Sequence, residues 1–328
     1  MKRLLRNGSA ILIAPVLALG AAANAPAQSY PVKPVRVVIG FAPGGPADLA
    51  GRVVGPKLSE ALGQTFVVEN RGGAGGTIGM DVVAKAPPDG YTLGLGSSGN
   101  LVMAPQLYPK IPYSVQKDLA PVSTLALTAY VIAVNPTVPA KTVLEFIKLA
   151  KSLKNSLDYG TSGNGSTSHI AAELLSQAIG ARLVHVPYKG TGPALAAVVS
   201  GEIDMMVADL TPALPLAKSG RLRLLATAGS RRTSAAPELP TMAEAGVKMH
   251  SVEGRYGIVA PASTPREIVA RLHTAIVTVL KSPDVQQRFG QMGFDIVGDT
   301  PEQFAATLKT EGEVFGEVIR KARIKPDA

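Results

Sequence analysis

Val35-Arg-Val-Val-Ile-Gly-Phe-Ala-Pro-Gly-Gly-Pro-Ala-Asp-Leu49 is the stretch from which the fold is read. The apolar, β-branched run from Val35 to Phe41 suits a strand covered on both faces, and the Pro-Gly-Gly-Pro of residues 43 to 46 ends it. From Asp48 to Leu62 the residues Leu49, Val53, Val54, Leu58 and Leu62 recur at roughly helical spacing, with Gly63 as a stop signal. The unit is strand, glycine-rich loop, helix.

Working outward, the unit repeats as strand Thr65 to Asn70, glycine loop Arg71 to Gly76, helix Thr77 to Ala86, turn Pro87 to Gly90 and strand Tyr91 to Gly96, the signature of a doubly wound parallel sheet. A long apolar segment, Leu119 to Val134, leads into a second series. That series opens with a helix from Thr142 to Leu153, where Thr142 and Glu145 have capping-box spacing. It continues as strand Leu157 to Thr161, helix Thr167 to Ile179, strand Arg182 to Pro187, helix Pro193 to Val199, strand Ile203 to Leu210 and strand Leu222 to Ala228. The rest, strand Tyr256 to Ala260, helices from Pro265 and Pro283, strand Phe294 to Val297 and a long final helix, holds too few strands for a third unit and is read as returning to the first. The expected fold is α/β with two lobes, each a doubly wound sheet, joined by a two-strand hinge. Lobe 1 is drawn from residues 28–126 plus 230–328 and lobe 2 from residues 127–229. A chain that crosses twice between lobes leaves a cleft between them, and such clefts hold ligands.

The 328 residues suit two lobes, and 46% hydrophobic with 17% charged residues is ordinary globular composition. Residues 1–27 read as a secretory signal peptide: Lys2, Arg3 and Arg6 precede an apolar run from Ala10 to Ala23, and small residues stand at Ala25 and Ala27. A membrane anchor is the competing reading, but the run is shorter than the ~20 residues a spanning helix needs. With no cysteine, disulfides, thiolate metal sites, a cysteine nucleophile and a lipidated cysteine are excluded. The formal charge of +9 includes the three basic leader residues, which leaves +6 for the exported chain. That excess suits an anionic ligand or a solvated surface; without Trp or basic runs interleaved with aromatics, no nucleic-acid partner is expected.

Three loops rich in glycine or serine, Ala42 to Ala47, Arg71 to Gly76 and Ser162 to Ser168, each join a strand to a helix. Helix N-termini carry unpaired N–H donors and about half a positive charge, so these loops read either as anion cradles or as plain turns with caps. Gly160-Thr-Ser-Gly-Asn-Gly-Ser-Thr-Ser-His169 adds hydroxyls beside such a terminus. Gly94-Leu-Gly-Ser-Ser-Gly99 matches the dinucleotide-loop spacing, but Pro105, Pro109 and Pro112 break the helix it needs, so Ser97 and Ser98 are read as cleft-lining instead. Gly160-Thr-Ser162-Gly-Asn164 lacks the last glycine of a nucleophile elbow, and the histidines at 169, 185, 250 and 273 form no zinc motif. No enzyme, cofactor or metal is expected. His169, following the serine-rich loop, is read as reaching the cleft. Of two carboxylates on one strand, Asp204 and Asp209, the latter at the strand end is read as orienting a donor on a ligand or capping the next helix. Lys189 reads as a cleft cation or as a surface turn residue.

With these residues in view the chain resembles the Bug-type solute-binding proteins of tripartite tricarboxylate transporters. The likeness rests on an ordered set: Phe-Ala-Pro-Gly-Gly at 41 to 45 with Asp48, Asn70-Arg-Gly-Gly-Ala-Gly-Gly76, Pro88-Asp-Gly-Tyr-Thr92, Tyr159-Gly-Thr-Ser-Gly, His185-Val-Pro-Tyr-Lys-Gly190, Gly201-Glu-Ile-Asp204 and Leu239-Pro-Thr. The resemblance implies a Venus-flytrap, periplasmic-binding-protein fold that takes a small carboxylated solute through backbone groups and ordered water. It also implies a periplasmic location, membrane permease subunits as partners and a monomeric receptor. Carried over, Phe41, Gly44, Gly45 and Asp48 would line lobe 1, Ser162, Gly163, Ser166 and Thr167 lobe 2, and Ser98, His169 and Asp209 would set specificity. A ligand sensor acting on a receptor kinase shares the same cleft and is the alternative. Gly51, a poor helix residue close after the first loop, departs from the pattern.

Overall fold

The computed structural model describes residues 30–153 and 156–325; the signal peptide read at 1–27 lies outside the described residues. The chain opens with β1 (Val35–Ile39), α1 (Pro46–Leu62), β2 (Phe66–Asn70), a single 3₁₀ turn (Ala74–Gly76), α2 (Thr77–Ala84), β3 (Thr92–Ser97) and a π-helical turn (Gly99–Met103). Short α3 (Ala104–Leu107) and α4 (Val115–Asp118) then lead to the 16-residue strand β4 (Leu119–Val134). The second series is α5 (Val143–Ser152), β5 (Leu157–Thr161), α6 (Thr167–Ile179), β6 (Leu183–Pro187), α7 (Thr191–Ser200), β7 (Met205–Asp209), α8 (Leu210–Lys218) and β8 (Arg223–Thr227). The chain ends with β9 (Glu253–Pro261), α9 (Arg266–Leu280), α10 (Pro283–Gln291), β10 (Phe294–Ile296) and α11 (Pro301–Lys321).

The strands run in the order β2-β1-β3-β9-β4-β7-β5-β6, with β8 and β10 also pairing β4. β4 belongs to both halves of this sheet. Its residues Leu119 to Ala129 pair with β9, and Tyr130 to Val134 pair with β7. In the first half β2, β1 and β3 are parallel, and in the second β6, β5 and β7 are parallel, as strand–helix–strand units require. The sequence reading gave no antiparallel members, yet β9 runs antiparallel to both β3 and β4. The cause is the double crossing: a chain that leaves one lobe along β4 and comes back along β9 must reverse direction. Between β8 and β9, Ala236 and Leu239 enter the core of the second half, so the sheet of the first half is rejoined at Glu253.

Helices cover both faces of each half. α1, α9 and α10 bury Val54, Leu58, Ile276 and Phe289 on one side of the first half, while α2 and α11 bury Met80, Phe304 and Ile319 on the other. In the second half α5 and α6 contribute Phe146 and Ile170 to one face, and α7 and α8 contribute Leu195 and Leu214 to the opposite one. Gly51 has a packing reason. A Cβ there would stand 3.2 Å from Ile39 Cδ1 and 3.4 Å from Leu95 Cδ1, so glycine lets α1 lie close on the sheet. The expected capping box of α5 is incomplete, because Thr142 accepts from the Glu145 N–H while the Glu145 carboxylate accepts from Lys141 N instead. The full reciprocal box stands at Thr300 and Gln303, at the start of α11.

Candidate functional site

A cleft opens where the two halves face each other across β4. Its walls are Phe41, Gly45, Pro46, Ala47, Asp48 and Ser97 from the first half, Ser162, Thr167, Thr191 and Asp209 from the second, and Tyr130 and Tyr256 from the crossing strands. The first turns of α1, α6 and α7, each preceded by a loop with glycine, end at this cleft. The leading N–H groups of a helix have no acceptor within it, so three sets of donors and three positive dipole ends converge here.

The loop before α1 is braced from within. Asp48 is buried, accepts from Gly44 N–H at 3.0 Å and pairs with Arg52 at 2.9 Å. Burial pulls its carboxyl upward, but the bonds from Arg52 and from the Gly44 N–H outweigh that and hold it below the usual range. Its charge is therefore answered inside the first half, and its task is to shape the turn. The loop before α6 is braced by hydroxyls. Ser166 caps the helix by accepting from His169 N–H, and Ser168 Oγ accepts from Ser162 N–H at 2.9 Å and lies 3.0 and 3.1 Å from the hydroxyls of Ser166 and Ser162.

Asp209 is the second carboxylate and is treated differently. It is fully buried at the end of β7 and takes part in no ion pair among the described residues. Hydroxyls answer it instead. Tyr256 Oη donates to Oδ1, Thr191 Oγ1 donates to Oδ2 at 3.4 Å, and Tyr130, its register partner on β4, joins the same network with Thr167 and Tyr256. Burial pushes the carboxyl up to about 6, the hydroxyl donors opposing the rise. The phenols of Tyr130 and Tyr256 are held far above their ordinary value, burial first and the Asp209 charge second.

The halves are in close contact around this cleft. Ala42 N–H donates to the carbonyl of Lys189 at 2.9 Å, a backbone bond from one half to the other. Glycines line the seam beside it. A Cβ on Gly192 would stand 2.7 Å from Pro43 O, one on Gly163 3.1 Å from Gly75 N, and one on Gly75 only 2.1 Å from Asn164 O. The walls leave a void of about 20 Å³, so a solute reaches the site only when the halves part.

Of the residues singled out from sequence, Phe41, Gly45, Asp48, Ser162, Thr167 and Asp209 stand in the cleft wall. Gly44 and Gly163 stand at the seam, Gly44 N–H bonded to Asp48 and Gly163 against Gly75. Three expectations are corrected in part. Ser98 turns away, its hydroxyl accepting from Arg255 N–H at 3.0 Å, and the preceding Ser97 faces the cleft. His169 is buried behind the loop, its Nδ1 accepting from Gly165 N–H and its ring stacked on His185 with centroids 4.3 Å apart. Ser166 is spent on capping rather than in the wall. Lys189 meets the other half through its carbonyl, and its side chain is exposed. Tyr130, Thr191 and Tyr256 are additions. Among the described residues no cluster of three or more histidines, aspartates or glutamates could hold a metal.

A protein-family profile described as "Tripartite tricarboxylate transporter family receptor" matches residues 50–324. The UPF0065 protein in the tcbD-tcbE intergenic region of Pseudomonas sp. (strain P51) is 36% identical over 298 residues, 90% of this chain and 88% of its own. Protein BugT of Bordetella pertussis is 34% identical over 307 residues, 93% of this chain and 94% of its own. Among solved structures, periplasmic binding protein BugD superposes with a TM-score of 0.88 at 32% identity, and an R. palustris protein with adipate gives the same two values. Each of those comparisons covers 91% of this chain and 100% of the other. MatC from Rhodopseudomonas palustris with bound malate superposes at 0.85 and 34% identity, over 88% of this chain and 100% of the other.

Proposed function

Because the chain belongs to the tripartite tricarboxylate transporter receptor family, whose members similar to it are solute-binding proteins rather than enzymes, we propose that it captures a small carboxylate between its two lobes and presents it to a membrane permease. The observation that carries this reading is the convergence of the α1, α6 and α7 N-termini on one cleft, a donor-rich surface that complements an anion without a full opposing charge. Two relatives at 32% and 34% identity were solved with adipate and with malate, both carboxylates, which supports the ligand class.

In this reading the first-turn amides of Ala47, Asp48 and Thr167, with the hydroxyl of Ser97, take the carboxylate, and Phe41 covers its carbon body. Asp48 keeps the first cradle in shape and Ser166 the second. Lobe 1, residues 28–126 plus the chain from β9 onward, and lobe 2, residues 127–229 plus the following segment that packs Ala236 and Leu239 on it, close together because the anion bonds donors from both, and closure is completed by the Ala42–Lys189 bond. The receptor works as a monomer in the periplasm. The leader-like residues 1–27 support export, and no helix among the described residues is long and apolar enough to cross a membrane.

The test is a thermal-shift screen of residues 28–328 against dicarboxylates, aromatic acids and acidic amino acids, each beside its uncharged amide. A ligand at about 100 times its Kd adds ~2.7 kcal/mol to the folded state, which raises the melting temperature measurably. The expected result is a shift with an acid and none with its amide. A shift with the amide alone, or with none of the acids, would overturn the carboxylate assignment.

A further inference from the structure

The cleft has two chemically opposite regions. The loops before α1, α6 and α7 present N–H donors, whereas its floor, formed by Tyr130 within β4, Asp209 at the end of β7 and Tyr256 within β9, presents acceptors. Asp209 is the centre of that floor. Tyr256, Tyr130 and Thr191 spend their hydroxyl protons within the floor network, so the lone pairs left on these oxygens, like the remaining capacity of the carboxylate, can only accept. The charge of Asp209 is offset by no guanidinium or ammonium among the described residues, in contrast to Asp48, whose charge Arg52 answers. A buried carboxylate met only by neutral hydroxyls is short of positive charge, and its own negative charge repels a second negative group of a ligand placed against it.

Resting on the carboxylate reading above, we propose that Asp209 is the specificity-determining residue of the cleft. It selects acids that carry a hydrogen-bond donor, a hydroxyl or an ammonium, on the carbon chain, over the plain diacid of the same length. The carboxylate lies against the helix N-termini and the donor points at Asp209 Oδ2, where the Thr191 hydroxyl makes only a long 3.4 Å bond. An ammonium supplies the missing positive charge; a hydroxyl supplies the donor alone.

The proposal is tested by calorimetric titration of residues 28–328 with two matched series: succinate, malate and aspartate; and glutarate, 2-hydroxyglutarate and glutamate. The wild type is expected to bind the best donor-bearing member of a series on the order of tenfold more tightly than its plain diacid, the scale of one hydrogen bond to a charged group. Asp209→Asn, checked for folding by circular dichroism, is expected to abolish that preference and to bind the plain diacid more tightly than the wild type does. Should D209N fold poorly, Thr191→Val reads the same contact from the other side, since freeing Oδ2 of its hydroxyl is expected to widen the preference. Diacids bound as tightly as their substituted partners, or a preference unchanged in D209N or in T191V, would overturn the role of Asp209 and leave the carboxylate reading standing. No binding by any of the six acids, with tight binding of an amide from the thermal-shift screen, would overturn both.

Discussion

Replacing Gly75 by alanine separates the stability of the first lobe from the ability of the two lobes to close. Two costs arise, and only one of them involves closure. Gly75 has φ +62°, so any Cβ brings the left-handed penalty of about 1 kcal/mol whether the halves are apart or together. The methyl carbon would also stand 2.1 Å from the Asn164 carbonyl oxygen of the other half. Non-bonded heavy atoms settle at about 3.5 Å, so the seam must open by roughly 1 Å at this point. The Ala42–Lys189 bond, 2.9 Å long as it stands, is then stretched past the useful range of about 3.5 Å. Losing that bond and part of the surrounding contact costs about 1 to 2 kcal/mol, or about tenfold in affinity. Gly63→Ala is the matched control, with φ +72° in the same lobe and no atom within 4 Å of the added Cβ. Both variants are expected to melt a few degrees lower without ligand. Titration with the acid that gives the largest thermal shift should show about tenfold weaker binding for Gly75→Ala and unchanged binding for Gly63→Ala. Equal affinities in the two variants would refute the argument that the seam must close to its present spacing.

Two further outcomes follow from the site. Asp209 has its carboxyl raised from 3.8 to about 6 by burial, against the opposing hydroxyls of Tyr256, Tyr130 and Thr191. A folded-state value above the unfolded one stabilises fully below pH 3.8, and that contribution is lost as pH rises through about 6, a change of about 3 kcal/mol. Urea melts of the ligand-free wild type should therefore lose stability relative to Asp209→Asn between pH 4.5 and 7.5, and parallel profiles for the two proteins would refute it. Ser166→Ala removes the cap of α6 and should cost about 1 kcal/mol in the same melts, with Ser166→Asp, which caps equally well, recovering it.

The lobes were legible in the sequence because parallel strands buried on both faces leave unbroken β-branched runs such as Val35 to Phe41, and because glycine and proline mark the loops between them. The direction of β9 was not legible. Nothing in Glu253 to Pro261 distinguishes a parallel from an antiparallel neighbour, and its partners β3 and β4 are fixed by the double crossing alone. In the site, the loops on helix N-termini announced themselves by composition, while the floor did not. Tyr130 and Tyr256 look like ordinary core aromatics in apolar strands, and only the register that sets Tyr130 opposite Asp209 and Tyr256 opposite Ser97 gives them a function. Of the two serines read as cleft-lining, Ser97 ends β3 and faces the cleft, while Ser98 already has helical backbone angles at the start of the next turn, where its hydroxyl meets Arg255 N–H. His169 was misread because its position on α6 is one turn past a loop in the wall, and the stacking partner that draws it inward, His185, lies on a different strand.

The shared strand β4 also sets an order of assembly on a chain that is made from its N-terminus. Every strand of the second half has been synthesised once Thr227 appears, so that half can close its ladder on Tyr130 to Val134 early. The first half cannot. β3 and the Leu119 to Ala129 portion of β4 both wait for β9, which begins at Glu253, and the face above them waits for α11, which ends at Lys321. The first lobe to begin is therefore the last to finish, and until then it exposes two apolar strand edges to any other chain nearby.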